Sequence, residues 1–132
     1  MTIFVDTSAI YPLLDVDAEP HDAVTSAWGL ARADGARLVT SSYVLLESFA
    51  LCQSRLGLAA ARDLAERLSP LLHVEWVDAE IHDTGVAMLL TANRQDLSLV
   101  DCVSFDLMRR LSISCALALD AHFHEQGFDC LP

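Results

Sequence analysis

Two short apolar runs, far apart along the chain, each end on an aspartate, and this constrains the fold more than any other feature. Ile3-Phe4-Val5 runs into Asp6-Thr7-Ser8, and Ser114-Cys115-Ala116-Leu117-Ala118-Leu119 runs into Asp120. Runs this apolar and this short, bounded by polar residues, read as strands buried on both faces, the type found in parallel sheets covered by helices. The rest of the chain alternates in the same sense. Thr7 or Ser8 caps a first helix beginning near Ser8, and Pro20 opens a second over about residues 21–33, stopped near Gly35. Residues 37–40 form a strand, and Ser41 or Ser42 caps the next helix, which carries Glu47. Gly57 separates this from a helix over about 58–68 that Pro70 ends. His73-Val74-Glu75-Trp76-Val77 alternates as a third strand. Helices over about 79–92 and 99–111 flank a polar loop at 93–98, and residues 127–131 form a last edge strand. The pattern predicts an α/β fold: a three-layer α/β/α sandwich around a central parallel sheet of four to five strands. With 132 residues, no repeat and no linker, one domain over residues 1–132 is expected.

Charge narrows the chemistry. The chain has 8 basic and 19 acidic residues, a net charge of −11. Every basic residue is Arg, so mechanisms that need a lysine are excluded: the P-loop, Schiff-base catalysis and phospho-receiver domains. Excess acid weighs against generic nucleic-acid binding, in which neutralising phosphate supplies affinity. It fits carboxylates gathered to hold divalent cations, or a surface that meets a basic partner. No apolar run reaches the roughly 18 residues of a membrane span. The opening residues lack a basic segment and place Asp6 too early for a signal peptide, so a cytoplasmic address is expected. Cys52, Cys102, Cys115 and Cys130 are scattered singly, which predicts reduced core thiols and no zinc ribbon.

In open parallel sheets, ligands bind beyond the carboxyl ends of the strands. Asp6 and Asp120 directly follow strands, while Glu47 and Asp101 lie near the starts of helices that begin at that same edge. Both of the latter interrupt apolar runs, Val44–Ala50 and Leu97–Val103. Taken singly, each acid has an ordinary structural role. Asp6 caps a helix, Glu47 lies on a solvated face, Asp101 pairs with Arg94 or Arg109, and Asp120 forms an Asx-turn. Four acids converging on one edge is harder to account for that way. A buried carboxylate costs several kcal/mol unless it is paired, and hard oxygen donors select Mg²⁺ or Mn²⁺.

Val5-Asp6-Thr7-Ser8-Ala9 resembles the opening motif of PIN domains. Ser42-Tyr43-Val44-Leu45-Leu46-Glu47 is similar to their second motif with its helical Glu, and Leu97-Ser98-Leu99-Val100-Asp101 to their third. Leu117-Ala118-Leu119-Asp120-Ala121-His122-Phe123, followed by Gly127-Phe128, resembles the closing block. The four come in the family's order and spacing across nearly the whole chain. One departure is His122, which stands where many members carry another acid. The resemblance implies a metal-dependent endoribonuclease acting on single-stranded RNA. Mg²⁺ or Mn²⁺ would be held by Asp6, Asp101 and Asp120, with Glu47 completing the site. Short chains of this kind resemble VapC-type toxins of bacterial toxin–antitoxin pairs, which implies a homodimer silenced by a cognate antitoxin.

Other features carry less. Asp120, His122 and His124 form a D-x-H-x-H run of a kind that can bind a transition metal; the favoured alternative is that Phe123 is core, with His122 and His124 at the rim. Asp15, Asp17 and Glu19 form a solvated acidic loop or part of an antitoxin contact, because the Gly and distal Glu of a calcium loop are missing. Arg62 and Arg67 are helix-surface charges or weak RNA contacts, and Trp28 and Trp76 are core or dimer-interface anchors. An aspartyl phosphatase wants D-x-D, but position 8 is Ser. A catalytically inactive PIN-like binding module is the rival from another class.

Overall fold

The computed structural model describes residues 1–132. Five parallel strands form one sheet: β1 (Thr2–Val5), β2 (Arg37–Ser41), β3 (His73–Glu75), β4 (Cys115–Leu117) and β5 (Asp129–Leu131). Their order across the sheet is β3-β2-β1-β4-β5. Strands are added outward from β1 in one direction and from β4 in the other, and crossovers of the usual right hand then place their helices on opposite faces. The strand order therefore reverses between β1 and β4, the crevice at which such sheets bind ligands. Seven α-helices cover the sheet: α1 (Thr7–Leu14), α2 (His21–Ala33), α3 (Ser42–Leu56), α4 (Leu58–Asp63), α5 (Ala79–Ala92), α6 (Leu99–Arg110) and α7 (Ala121–Glu125). None is long and apolar enough to cross a membrane.

The expected elements are present, and their ends differ for definite reasons. The fourth strand stops at Leu117 rather than Leu119, because the amides of Leu119 and Asp120 donate to Ser8 Oγ at 2.9 and 3.2 Å instead of extending the ladder. The third stops at Glu75 rather than Val77, because the Val77 amide donates to Ser42 Oγ at 2.9 Å. Trp76 is consequently outside the core, 75% exposed, whereas Trp28 is buried. Ser41, not Ser42, caps α3 by accepting from the Val44 amide at 3.1 Å. After Asp63 helix α4 widens into a π turn at Leu64–Leu68 and then tightens into a 3₁₀ turn at Ser69–Leu71. The four cysteines are free thiols, as expected, and three of them are buried.

An aromatic stack fixes the reversal point of the sheet. Phe123 of α7 lies 6.4 Å from Phe4 of β1 and 5.0 Å, edge to face, from Phe105 of α6; Phe105 in turn lies 6.1 Å from Phe128. Phe123 is fully buried, so a helix of only five residues is anchored by a large apolar side chain rather than by its own hydrogen bonds. Across the α5–α6 contact, Gly85 admits the close approach of Val103, whose Cγ2 would come within 2.6 Å of any added Cβ. Phe123→Ala is expected to lower unfolding stability by about 3–5 kcal/mol, the usual cost of truncating a buried Phe. The shift of the urea midpoint measures it.

Candidate active site

Each of the four acids is placed by local backbone chemistry. Asp6 follows β1 and is the N-cap of α1: its Oδ2 accepts from the Ser8 amide at 3.1 Å and from Ser8 Oγ at 2.7 Å. The cap is thus Asp6 itself, not Thr7 or Ser8. Thr7 instead packs inward, its hydroxyl donating to the Val44 carbonyl at 3.2 Å and lying 3.0 Å from Ser48 Oγ, which ties α1 to α3. Asp101 closes a capping box on α6, where its amide donates to Ser98 Oγ and its Oδ2 accepts from the Ser98 amide. Asp120 caps α7 by accepting from the His122 amide at 2.9 Å. Glu47 projects from α3, half-buried.

Ser8 joins two of these positions. Its hydroxyl donates to Asp6 and accepts from the amides of Leu119 and Asp120. The end of β1 is therefore stitched to the end of β4, and the two strand-end aspartates face one crevice. All four acids line a single groove of about 480 Å³, together with Ser8, Tyr11, Leu51, Arg55 and Ser98 among others. The ion pairs expected for Asp101 do not form. Arg94 instead binds Asp96 at 2.7 Å and Glu125 at 3.3 Å, and Arg109 binds Gln126.

The tightest grouping is Asp101, Asp120 and His122, whose potential ligand atoms all lie within 4.8 Å of one another. His122 is not a rim residue. Its Nδ1 lies 2.9 Å from Asp120 Oδ1 and 3.5 Å from Asp101 Oδ2, while its Nε2 reaches Asp96 at 3.2 Å. The Nδ1 contact with Asp120 is close but misaligned, so this buried nitrogen has no proper hydrogen-bond partner. Burial alone would lower the His122 pKa, but the carboxylates of Asp96, Asp120 and Asp101 outweigh it and raise the value. His124 is exposed and Phe123 is core, as the sequence implies.

Crowding marks the electrostatics. Burial pushes the Asp6 carboxyl up to about 6, and the neighbouring charges of Asp101 and Glu47 add to it against the hydrogen bonds from Ser8. Burial also raises Glu47, reinforced by Asp101 and Asp120, and raises Asp101, reinforced by Asp120. Asp6 and Asp101 are only 4% and 7% exposed. Carboxylates packed this way gain from a divalent cation and lose without one.

Arg55 is the groove residue that the sequence reading passed over in favour of Arg62 and Arg67, which instead pair on the surface with Glu66 and Asp63. Its signal is periodicity: Glu47, Leu51 and Arg55 recur every four residues on one side of α3.

With this geometry in view, the profile of the PIN domain family matches residues 3–129, and the chain belongs to that family. It is similar to the 23S rRNA-specific endonuclease VapC20 of Mycobacterium tuberculosis, 33% identical over 127 residues that cover 96% of this chain and 95% of the relative. The crystal structure of that protein, described as a Sarcin-Ricin loop cleaving toxin, superposes with a TM-score of 0.86 at 32% identity, over 96% of this chain and 95% of the other. FitAcB from Neisseria gonorrhoeae superposes with a TM-score of 0.69 at 15% identity, over 100% and 97% of the two chains, a likeness of fold.

Asp6 supplies a pH test. Its carboxyl is raised in the folded state, so between about pH 4 and pH 6 the native chain keeps a proton that the unfolded chain releases. Stability therefore falls as pH climbs through that window and stays low above it. In metal-free solution Asp6→Asn is expected to be more stable than the wild type at pH 8, by on the order of 2–3 kcal/mol, with the difference vanishing below pH about 4. Denaturant unfolding across pH checks it.

Proposed function

We propose that this chain is a metal-dependent endoribonuclease that hydrolyses phosphodiester bonds in single-stranded RNA and serves as the toxin of a type II toxin–antitoxin pair, one nuclease domain over residues 1–132. The observation that carries this reading is the groove at the β1–β4 reversal, where Asp6, Glu47, Asp101 and Asp120 converge with no arginine paired to any of them. The resemblance to an endonuclease named for its action on 23S rRNA supports it.

The donor set fits Mg²⁺ or Mn²⁺. Its oxygens are hard carboxylate donors, and the orphaned Nδ1 of His122 faces the same space as Asp101 and Asp120. Asp6, Asp101 and Asp120 would hold the cation, with Glu47 completing the site. A bound divalent cation supplies charge stabilisation at the phosphate oxygens and a more acidic water. The chain's own residues supply placement. Ser8 fixes the Asp6 carboxylate and the backbone before Asp120, and Ser98 fixes Asp101. His122, held by Asp96, sets the spacing of Asp101 and Asp120. Glu47, half-buried with a raised pKa, is suited to exchange a proton at the groove wall.

The same surplus of acid suits an antitoxin segment that brings Arg or Lys to the groove, and a homodimer is the expected free form. In Mn²⁺ the protein is expected to cleave labelled single-stranded RNA, and EDTA is expected to abolish this. Asp6→Asn and Asp101→Asn are each expected to lower the rate at least about 100-fold. Cleavage that persists unchanged in both variants would sink the site assignment.

A further inference from the structure

One arginine of the chain lines the groove, Arg55. Arg62, Arg67, Arg94 and Arg110 are each paired with carboxylates. Arg55 makes no such pair; Arg32, Arg37 and Arg109 make none either, but of these only Arg55 lines the groove, among several acids. Its guanidinium instead lies over the ring of Tyr11, 5.4 Å from the centroid. Tyr11 is itself fixed, because its hydroxyl donates to Asp15 Oδ2 at 2.8 Å. The same guanidinium also hydrogen-bonds the Tyr11 hydroxyl, which orients it further, and the donors that remain match the oxygens of a phosphate. A cation that neutralises no neighbouring acid, held in place at the mouth of a carboxylate groove, is suited to an anion that arrives from outside.

We propose that Arg55, braced by Tyr11, is the phosphate anchor of this site and grips a backbone phosphate of single-stranded RNA adjacent to the one being cut. The inference rests on the ribonuclease reading above. It gives the groove a polarity: the metal-binding acids lie toward the β1–β4 reversal, and the cation lies two helical turns along α3 from Glu47. A strand bound across both is set in one register. It also answers the difficulty that a chain of net charge −11 repels its substrate, because here the attraction is local.

The test is the salt dependence of binding. Asp6→Asn is present throughout to block cleavage, and a labelled single-stranded RNA is titrated by fluorescence anisotropy in Mn²⁺ at roughly 50–200 mM salt. Adding Arg55→Gln is expected to weaken binding about tenfold. It is also expected to flatten the slope of log K against log salt by about 0.7, the release expected for one phosphate contact on a single strand. Arg55→Lys is expected to restore the slope but not the full affinity, since it returns the charge without the fork. Arg62→Ala, on the surface, is expected to change neither. An unaltered slope in Arg55→Gln overturns the proposal, as does a slope lost equally in Arg55→Lys when that variant melts like its parent. Cleavage by the wild-type protein is followed in parallel. RNA cut normally alongside an unmoved slope defeats the Arg55 anchor alone, whereas no cleavage of RNA by the wild type defeats the ribonuclease reading and this inference with it.

Discussion

The crevice between β1 and β4 depends on one hydroxyl. Ser8 Oγ donates to the Asp6 carboxylate and accepts from two consecutive amides beyond β4. Those amides would otherwise prolong the strand, so the same contact ends the ladder, turns the chain toward α7 and sets Asp120 opposite Asp6. The two amides that Ser8 accepts from lie more than a hundred residues later in the chain, which makes the crevice a tertiary product rather than a local one. Packing then fixes the arrangement: Phe123 wedges between Phe4 and Phe105, so that β1, α6 and α7 cannot shift independently.

The cost of this arrangement is electrostatic. Three carboxyls are raised by burial and by one another, and no arginine relieves them. The apolar interior must offset that cost, and 53% hydrophobic composition with a core running through every layer supplies the means. The arginines that could have quenched the charge are spent elsewhere, Arg94 on Asp96 and Glu125 and Arg110 on Asp106 and Glu80. Negative charge on the surface and negative charge in the groove thus have different origins: the first is solvated and cheap, and the second is maintained against burial.

Much of this was readable from the chain because the signals are local. Short apolar runs that end in an acid locate β1, β4, Asp6 and Asp120, and acids that interrupt apolar helical stretches locate Glu47 and Asp101. The parallel sheet follows from the alternation of strand and helix. What escaped was set by contacts between distant residues. The strand ends at Leu117 and Glu75 depend on Ser8 and Ser42, which are serines like any others in sequence. His122 looked like a rim residue, because nothing in D-x-H-x-H reveals that the capping box of α6 would bring Asp101 against it. Arg55 carried a signal in its four-residue spacing from Leu51 and Glu47, but the spacing acquires meaning only once α3 is known to flank the crevice.

Three of the acids do double duty, since Asp6 and Asp120 cap helices and Asp101 closes a capping box. Replacing any of the three therefore disturbs the start of a helix as well as the lining of the groove. Asn caps a helix about as well as Asp does, and at Asp6 it would also relieve the buried charge. At Asp6 and Asp120, aspartate-to-asparagine is thus a replacement that the helix caps accept, leaving the fold around the groove in place.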